Sequence, residues 1–183
     1  MTALILAGII GTLVLWGVLI YNSLVRYRNQ VAAAWSDIDV QLQRRHDLVP
    51  QLVEAVRGYA GYEKATLEAV TELRARSLQT QQVGEIAALE QQLESAVHRL
   101  IALAEEYPDL KANETFLDLQ RELSEIEDHL QYARRFYNGA VRILNTRIES
   151  FPDLLVARPM QFVQAEFFEA EAEAETPVRV EFN

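Results

Sequence analysis

The chain has 183 residues, half of them hydrophobic, with 17 basic and 27 acidic side chains and a net charge of −10 at pH 7. This length is enough for one domain with a core of its own, and the acidic balance argues against nucleic acid as a partner because phosphate backbones are repelled. The absence of cysteine excludes disulfides, thiolate catalysis and zinc sites built on cysteine.

The first predicted element is an apolar helix. No charged side chain occurs before Arg26, and residues 2–21 are long enough to cross a bilayer, which requires about 20 apolar residues. A cleaved signal peptide would show basic residues before the apolar run and a small-x-small site after it. This sequence has neither feature. A buried core helix is the other alternative, but a helix that is apolar on every face suits lipid better. We therefore predict a single transmembrane anchor over residues 1–25, with the lipid bilayer as its partner.

The end of this segment predicts a membrane boundary and an orientation. Amphipathic rings favour the membrane interface, which assigns Trp16 and Tyr21 to it, and Arg26 and Arg28 follow directly. The positive-inside rule then places the N-terminus outside and the rest of the chain in the cytoplasm.

Residues 26–152 are predicted to form helices, because apolar residues recur there at spacings of three and four. The first run, residues 31–73, crosses Pro50, which predicts a kink or a restart of the helix. A kink is favoured because the run keeps its phase. Gly58 and Gly61 mark a second candidate break. Three helices are expected if the chain only bends there, and four if it turns back.

Two further runs follow. Residues 86–104 end at a turn signal around Pro108. Residues 116–144 alternate spacings of three and four, as in a coiled-coil seam, with Asn113 as a cap and Phe151-Pro152 as a stop. The predicted fold is all-α: a transmembrane helix, then an elongated antiparallel up-and-down bundle of three or four helices. Residues 153–183 form an acidic and aromatic tail that is largely irregular.

One sequence pattern occurs twice, as YNSLVRYRN in residues 21–29 and YNGAVRILN in residues 137–145. On a helix, each copy places Asn, Arg and Asn on one side of a Tyr-led apolar face. A solvated face is the favoured interpretation. The alternative is contact with other helices or subunits, where Asn and Arg would define the register. Under that alternative the contact residues are Asn22, Asn29, Trp35, Tyr137, Asn138, Arg142 and Asn145.

The same stretches resemble the LemA family of bacterial membrane proteins. Residues 21–63 are similar to that family's AWS-x-ID-x-QL-x-RR-x-DL-x-P-x-LV stretch, and residues 107–152 to its YPDLKAN and RRFYN stretches. The resemblance implies a single-pass anchor in the bacterial inner (plasma) membrane and a helical bundle, and it implies no chemistry. Members are often encoded beside membrane proteases, which suggests a scaffold or adaptor role, and a magnetosome-associated branch suggests membrane organisation.

No catalytic, metal or cofactor site is predicted. The three histidines, His46, His98 and His129, lack the Glu-x-x-His spacing of a di-iron bundle. A dense polar stretch, residues 35–48, is interpreted equally well as a solvated face or as a salt-bridged layer inside the bundle. The members of that layer would be Asp37, Asp39, Arg44, Arg45 and Asp47.

The tail changes in character after residue 168. Alternating Glu and Ala over residues 169–175 predicts a flexible spacer, and the last residues alternate with the period of a strand. A tail with a few aromatic contacts on the bundle is slightly favoured over a strand that pairs with another chain. The candidate tail contacts are Phe162, Phe167, Phe168, Val178, Val180 and Phe182.

The sequence favours a membrane-anchored scaffold or adaptor that self-associates or docks a membrane partner, such as a protease. We expect a homo-oligomer in which the tail helps to join subunits. The alternative is a small hydrolase that uses carboxylates in the bundle. That alternative requires a pocket with perturbed acids, and a narrow bundle is expected to offer little room for one.

Overall fold

The computed structural model describes residues 1–60 and 63–168, and this part of the chain is all-helical, as predicted. The long helices are α1 (Thr2–Arg57), α2 (Lys64–Ser77), α3 (Val83–Ala104) and α5 (Glu114–Glu149). Two helices of four residues, α4 (Pro108–Lys111) and α6 (Leu154–Ala157), follow α3 and α5. Within the predicted irregular tail, α6 was not foreseen, because four residues are too few to show a helical period.

The first helix runs without interruption through Pro50, so a restart there is wrong. Proline has no N–H, and the carbonyl of the residue four positions earlier loses its helical partner. That carbonyl belongs to His46, and the Nε of Arg74 donates a hydrogen bond of 2.7 Å to it. A side chain from α2 therefore replaces the missing backbone donor.

The chain turns back after Arg57, as the four-helix alternative required. Arg74 near the end of α2 reaches His46, whereas the first turn of α2 lies beside Arg57. Leu67 and Val70 of α2 share one hydrophobic core with α1. The prediction of a break at the glycines is confirmed, and α2 runs antiparallel to the second half of α1.

The last long helix begins and ends where the sequence predicted. The Oδ1 of Asn113 accepts a hydrogen bond of 3.1 Å from the backbone N–H of Phe116, which is the geometry of a helix cap. The helix ends at Glu149, two residues before Phe151-Pro152. Pro108 occupies the start of α4 at the predicted turn.

The contacts divide the chain into two compact units. Of the described residues, unit 1 comprises 1–41 and 129–166, and unit 2 comprises 42–60, 63–128, 167 and 168. Buried side chains of α1 and α5 form the core of unit 1, including Val31, Ile38, Leu130, Val141 and Leu144. The core of unit 2 contains side chains from all four long helices and α4. Its members include Val49, Val56, Leu67, Leu93, Leu100, Leu110 and Phe116.

Candidate functional site

The first part of α1 is uncovered by the rest of unit 1. Large apolar side chains from Leu4 to Leu19 are exposed, and burial begins only at Ile20 and Leu24. Among the described helices, α1 alone is long and apolar enough to cross a membrane. Residues 2–19 extend for about 27 Å at about 1.5 Å per residue, which is close to the hydrocarbon thickness of a bilayer, about 30 Å.

The residues predicted at the membrane interface meet the C-terminal part of unit 1. The ring of Tyr21 contacts the ring of Phe162 edge-on, with centroids 5.8 Å apart. The guanidinium of Arg28 lies 5.5 Å from the centre of the same Phe162 ring, an arrangement that favours cation–π attraction. Arg26 lies over the neighbouring ring of Tyr27, and Trp16 is partly exposed on the uncovered part of α1.

Tyr27 links this region to the end of α5. The Arg147 guanidinium lies 5.4 Å from the centre of the Tyr27 ring. A hydrogen bond with Arg147, together with the charge of that cation, holds the pKa of Tyr27 below its ordinary value of 10.0. Arg147 also forms an ion pair of 2.9 Å with the buried carboxylate of Asp153. The cation therefore joins α1, α5 and the residues before α6.

Residues 164–166, which we call the docked segment, are held by the second copy of the repeated sequence. The side-chain amide of Asn145 donates to the carbonyl of Ala165 and accepts from its N–H, both at 2.9 Å. The hydroxyl of Tyr137 donates to the carbonyl of Glu166 at 2.9 Å. All three hydrogen bonds go to main-chain atoms, so this part of α5 binds the backbone of the docked segment and not its side chains.

Tyr137 has a second contact inside unit 1. Its ring meets the ring of Trp35 edge-on at 5.5 Å, which joins α1 to α5. Burial raises the pKa of Tyr137, and the negative charge of Glu166 raises it further. The phenol therefore stays protonated and remains a donor to the docked segment throughout the physiological range.

The other predicted contact residues differ in their exposure to solvent, and their roles remain predictions. Asn22, Asn29 and Arg142 are exposed, and Asn138 is half-buried. Phe162 is half-buried, Phe167 is exposed and Phe168 is fully buried. Val178, Val180 and Phe182 lie outside the described residues.

A buried polar cluster lies in unit 2. The carboxylate of Glu90 in α3 is fully buried and accepts from three side chains: His46 Nε2 at 2.7 Å, Arg45 Nη1 at 3.5 Å, and the hydroxyl of Ser77. Arg45 also forms an ion pair with Glu127 of α5. Since a carboxylate only accepts, the Nε2 of His46 must carry a proton.

The environment of Glu90 keeps it ionised. Burial raises the pKa of Glu90, but hydrogen bonds from His46 and Ser77 and the charges of His46 and Arg45 outweigh burial. The pKa of Glu90 consequently lies below its ordinary value of 4.5. The cluster is a charged connection between α1, α2 and α3, and Arg45 extends it to α5.

Of the two interpretations left open for residues 35–48, the solvated face holds for four of the five named residues and the buried polar layer for one. Only Arg45 of the five residues named from the sequence enters the cluster, whereas Asp37, Asp39, Arg44 and Asp47 are exposed. The carboxylates come from α3 and α5 instead, because the exposed acids of α1 point away from those helices. Glu90 could have been found in the sequence, since it interrupts an apolar run four residues after Ile86 and three before Leu93.

A cavity of about 380 Å³ lies beside this cluster, which is more room than the sequence led us to expect. Its polar wall contains Arg45, Glu94, His98 and Glu127, and Val97, Ile101 and Leu123 form its apolar wall. This volume falls in the range of small-ligand pockets. Within residues 1–60 and 63–168, no three His, Asp or Glu side chains are grouped so that they could hold a metal ion.

Comparison with known proteins gives consistent matches. The model of the LemA family matches residues 34–182. "Protein LemA" of Metamycoplasma hominis is 29% identical over 81% of this chain and 68% of its own length. "Magnetosome protein MamQ 2" of Paramagnetospirillum magneticum is 26% identical, and "Magnetosome protein MamQ" of Magnetospirillum gryphiswaldense is 24% identical, each over 86% of this chain and 68% of the relative. These matches confirm the resemblance drawn from the sequence.

Proposed function

We propose that this chain, which belongs to the LemA family, is a membrane-anchored helical scaffold or adaptor with no catalysis of its own. The observation that supports this most is the continuity of α1. One helix carries the exposed apolar residues 2–19 and then enters the core of unit 1 at Ile20 and Leu24. Because no flexible linker separates residues 2–19 from the rest of α1, any binding surface on unit 1 is held at a constant distance from the anchor.

The proposed orientation places the N-terminus outside a bacterial inner membrane and both units in the cytoplasm. Arg26 and Arg28 after the apolar residues support this by the positive-inside rule. The test uses single cysteines in this Cys-free chain. A membrane-impermeant maleimide added to intact cells should not label Ser36→Cys, an exposed position of α1 in unit 1, until the membrane is permeabilised. Labelling in intact cells at the same rate as after permeabilisation would reverse the orientation.

The surface that supports an adaptor role lies on unit 1. Tyr132 and Phe136 of α5 are more than half exposed, and they line one groove with Val40 of α1. Exposed aromatic residues of this kind are enriched where proteins bind each other. The continuous α1 places this patch at the same height above the membrane in every copy, and the membrane confines the copies to one plane, which raises their effective concentration. We therefore propose a second copy of this chain as the occupant of the patch.

Self-association can be tested by size in mild detergent or lipid nanodiscs. The wild-type chain is expected to be a homo-oligomer, and a variant with Tyr132→Ser and Phe136→Ser is expected to be smaller. Leu117→Ser is the matched control, because Leu117 is an exposed apolar residue of α5 in unit 2. A monomeric wild type would refute self-association, and an unchanged size of the double variant would exclude this patch.

Two further parts of the proposal concern partners. Another membrane protein, such as a protease, is proposed as a docking partner, supported by the family resemblance and by relatives named as magnetosome proteins. The C-terminal tail is proposed to help join subunits. Its docked segment contacts unit 1 of the same chain, so the joining role falls to residues 169–183. Deletion of those residues should reduce the assembly, and an unchanged size would remove this role.

The cavity in unit 2 supports a second candidate, a small hydrolase-like enzyme that uses carboxylates. Glu94 and His98 border that cavity, and His98 is exposed. Under the scaffold proposal, a strain that lacks the gene should be complemented fully by a variant with Glu94→Gln and His98→Gln. Loss of complementation by a variant that is folded and membrane-bound would favour the enzyme.

A further inference from the structure

The residues that follow α5 form the end of unit 1 nearest the membrane anchor. Along the antiparallel pair of α1 and α5, Trp35 contacts Tyr137, and Tyr27 contacts Arg147. Each step along α5 therefore approaches the apolar residues 2–19. Glu149, where α5 ends, lies about 3 Å further along than Arg147 at about 1.5 Å per residue.

The chain then reverses direction at this end. Phe162 contacts Tyr21, at the boundary where α1 becomes uncovered. After Phe162, Gln164 reaches Glu149 and Ala165 pairs with Asn145, so the docked segment runs back along α5. Residues 150–163, which we call the reversal segment, are consequently at the level of Tyr21.

The reversal segment exposes large apolar side chains in unusual number. Phe151 is 78% exposed, Leu155 58%, Met160 58% and Val163 80%. Four exposed large apolar side chains within fourteen positions indicate a site of interaction, because grouped apolar side chains on a protein surface are generally covered by a partner or a membrane. They belong to a segment that meets α1 at Tyr21, directly after the exposed apolar residues 2–19, where the bilayer would end.

The charge of this segment suits a lipid surface as well. In a chain of net charge −10 at pH 7, residues 150–163 contain a single acidic residue, Asp153. Its carboxylate is buried and paired with Arg147 at 2.9 Å. The guanidinium of Arg158 is exposed. The segment therefore presents a cation and apolar side chains, and no carboxylate of its own is exposed towards anionic headgroups.

We propose that the reversal segment is a second membrane contact, which lies in the headgroup region beside the anchor with Phe151, Leu155, Met160 and Val163 in contact with lipid. The contact would hold unit 1 upright on the bilayer at two points and prevent it from rotating freely about the anchor. The proposal depends on residues 2–19 being in the membrane and is independent of what the scaffold binds.

The absence of cysteine makes a direct test possible in the full-length protein. Single cysteines replace Phe151, Leu155, Met160 and Val163 in turn, and each is labelled with a nitroxide in nanodiscs of phosphatidylethanolamine and phosphatidylglycerol. Two controls are used: Val14→Cys on the anchor, and Ser36→Cys at an exposed position of α1 in unit 1. The measurement is the collision of each label with oxygen, which concentrates in lipid, and with a water-soluble nickel chelate.

Labels in the reversal segment should give a ratio of oxygen to nickel accessibility that lies between the ratios of the two controls and above that of Ser36→Cys. A ratio equal to that of Ser36→Cys would show that the segment is in water and would overturn the proposal. Low accessibility to both reagents would mean that protein covers the segment, which would also overturn it. If the Val14→Cys label is itself exposed to water, residues 2–19 are not in the membrane, and both the anchor and the second membrane contact are refuted.

Discussion

Replacement of Glu90 by Gln isolates the contribution of the buried charge while the size of the side chain is preserved. One oxygen of Glu90 accepts from both His46 and Ser77, and the other faces Arg45. The amide of Gln can keep its oxygen towards the first pair, but it then places an NH₂ group against the guanidinium of Arg45, donor against donor. Arg45 retains its ion pair with Glu127, so this cation keeps a carboxylate partner.

The expected loss follows from that geometry. A buried group left with an unsuitable hydrogen-bond partner lowers the free energy of unfolding by about 1–3 kcal/mol. This is below the roughly 3–5 kcal/mol of a buried charge that loses its only partner. For a chain of this length each kcal/mol lowers Tm by about 2–4 °C, so we expect Glu90→Gln to lower Tm by about 2–12 °C at neutral pH.

The assay is thermal unfolding of the full-length chain in mild detergent, followed by far-ultraviolet circular dichroism. Glu122→Gln is the matched control, since it makes the same chemical change at an exposed position of α5. That control should change Tm very little, because surface substitutions generally stay within about 0.5 kcal/mol. Equal Tm values for the two variants at neutral pH would refute the assignment of Glu90 to a stabilising cluster.

The pH dependence gives a second, independent check. The pKa of Glu90 in the folded protein is below its ordinary value of 4.5. A carboxylate with a lowered pKa contributes stability that is complete above its unfolded pKa and is lost as the pH falls through the folded pKa. The difference in Tm between the wild type and Glu90→Gln should therefore narrow as the pH falls below 4.5. A difference that stays constant there would mean that packing, rather than charge, explains the loss.

Three further predictions concern the helices and the docked segment. Asn145→Ala removes both hydrogen bonds to the docked segment, so amide hydrogen exchange should accelerate there and stay unchanged in Thr146→Ala. Asn113→Ala removes the cap of α5 and should lower the free energy of unfolding by about 1 kcal/mol. Asn113→Asp should keep the cap and the stability. Equal Tm values for these two variants would show that Asn113 does not cap the helix. Arg147→Gln should raise the pKa of Tyr27 towards 10.0, measured by carbon NMR of the tyrosine ring. An unchanged pKa of Tyr27 would show that Arg147 does not lower it.

Local patterns of the sequence were sufficient to predict the long helices of this fold. The uncharged run before Arg26 predicts an anchor from length and polarity alone. The spacing of apolar residues predicts the helices after it, since a period of 3.6 belongs to a single element. The cap at Asn113 and the stop at Phe151-Pro152 depend only on neighbours within a few positions. Each of these features is decided by interactions inside one helix or at its end.

The tertiary structure alone decided how these elements meet. The turn back after Arg57 was one of two open alternatives, because a pair of glycines permits both a bend and a reversal. The partners of Arg45 lie 45 and 82 positions away in sequence, and Asn145 meets Ala165 across the reversal segment. Contacts between elements depend on the rotation and axial shift at which helices pack, and these are determined by how all of their side chains fit together. Sequence periodicity identifies which face of a helix is buried, but not which residue of another helix lies opposite it.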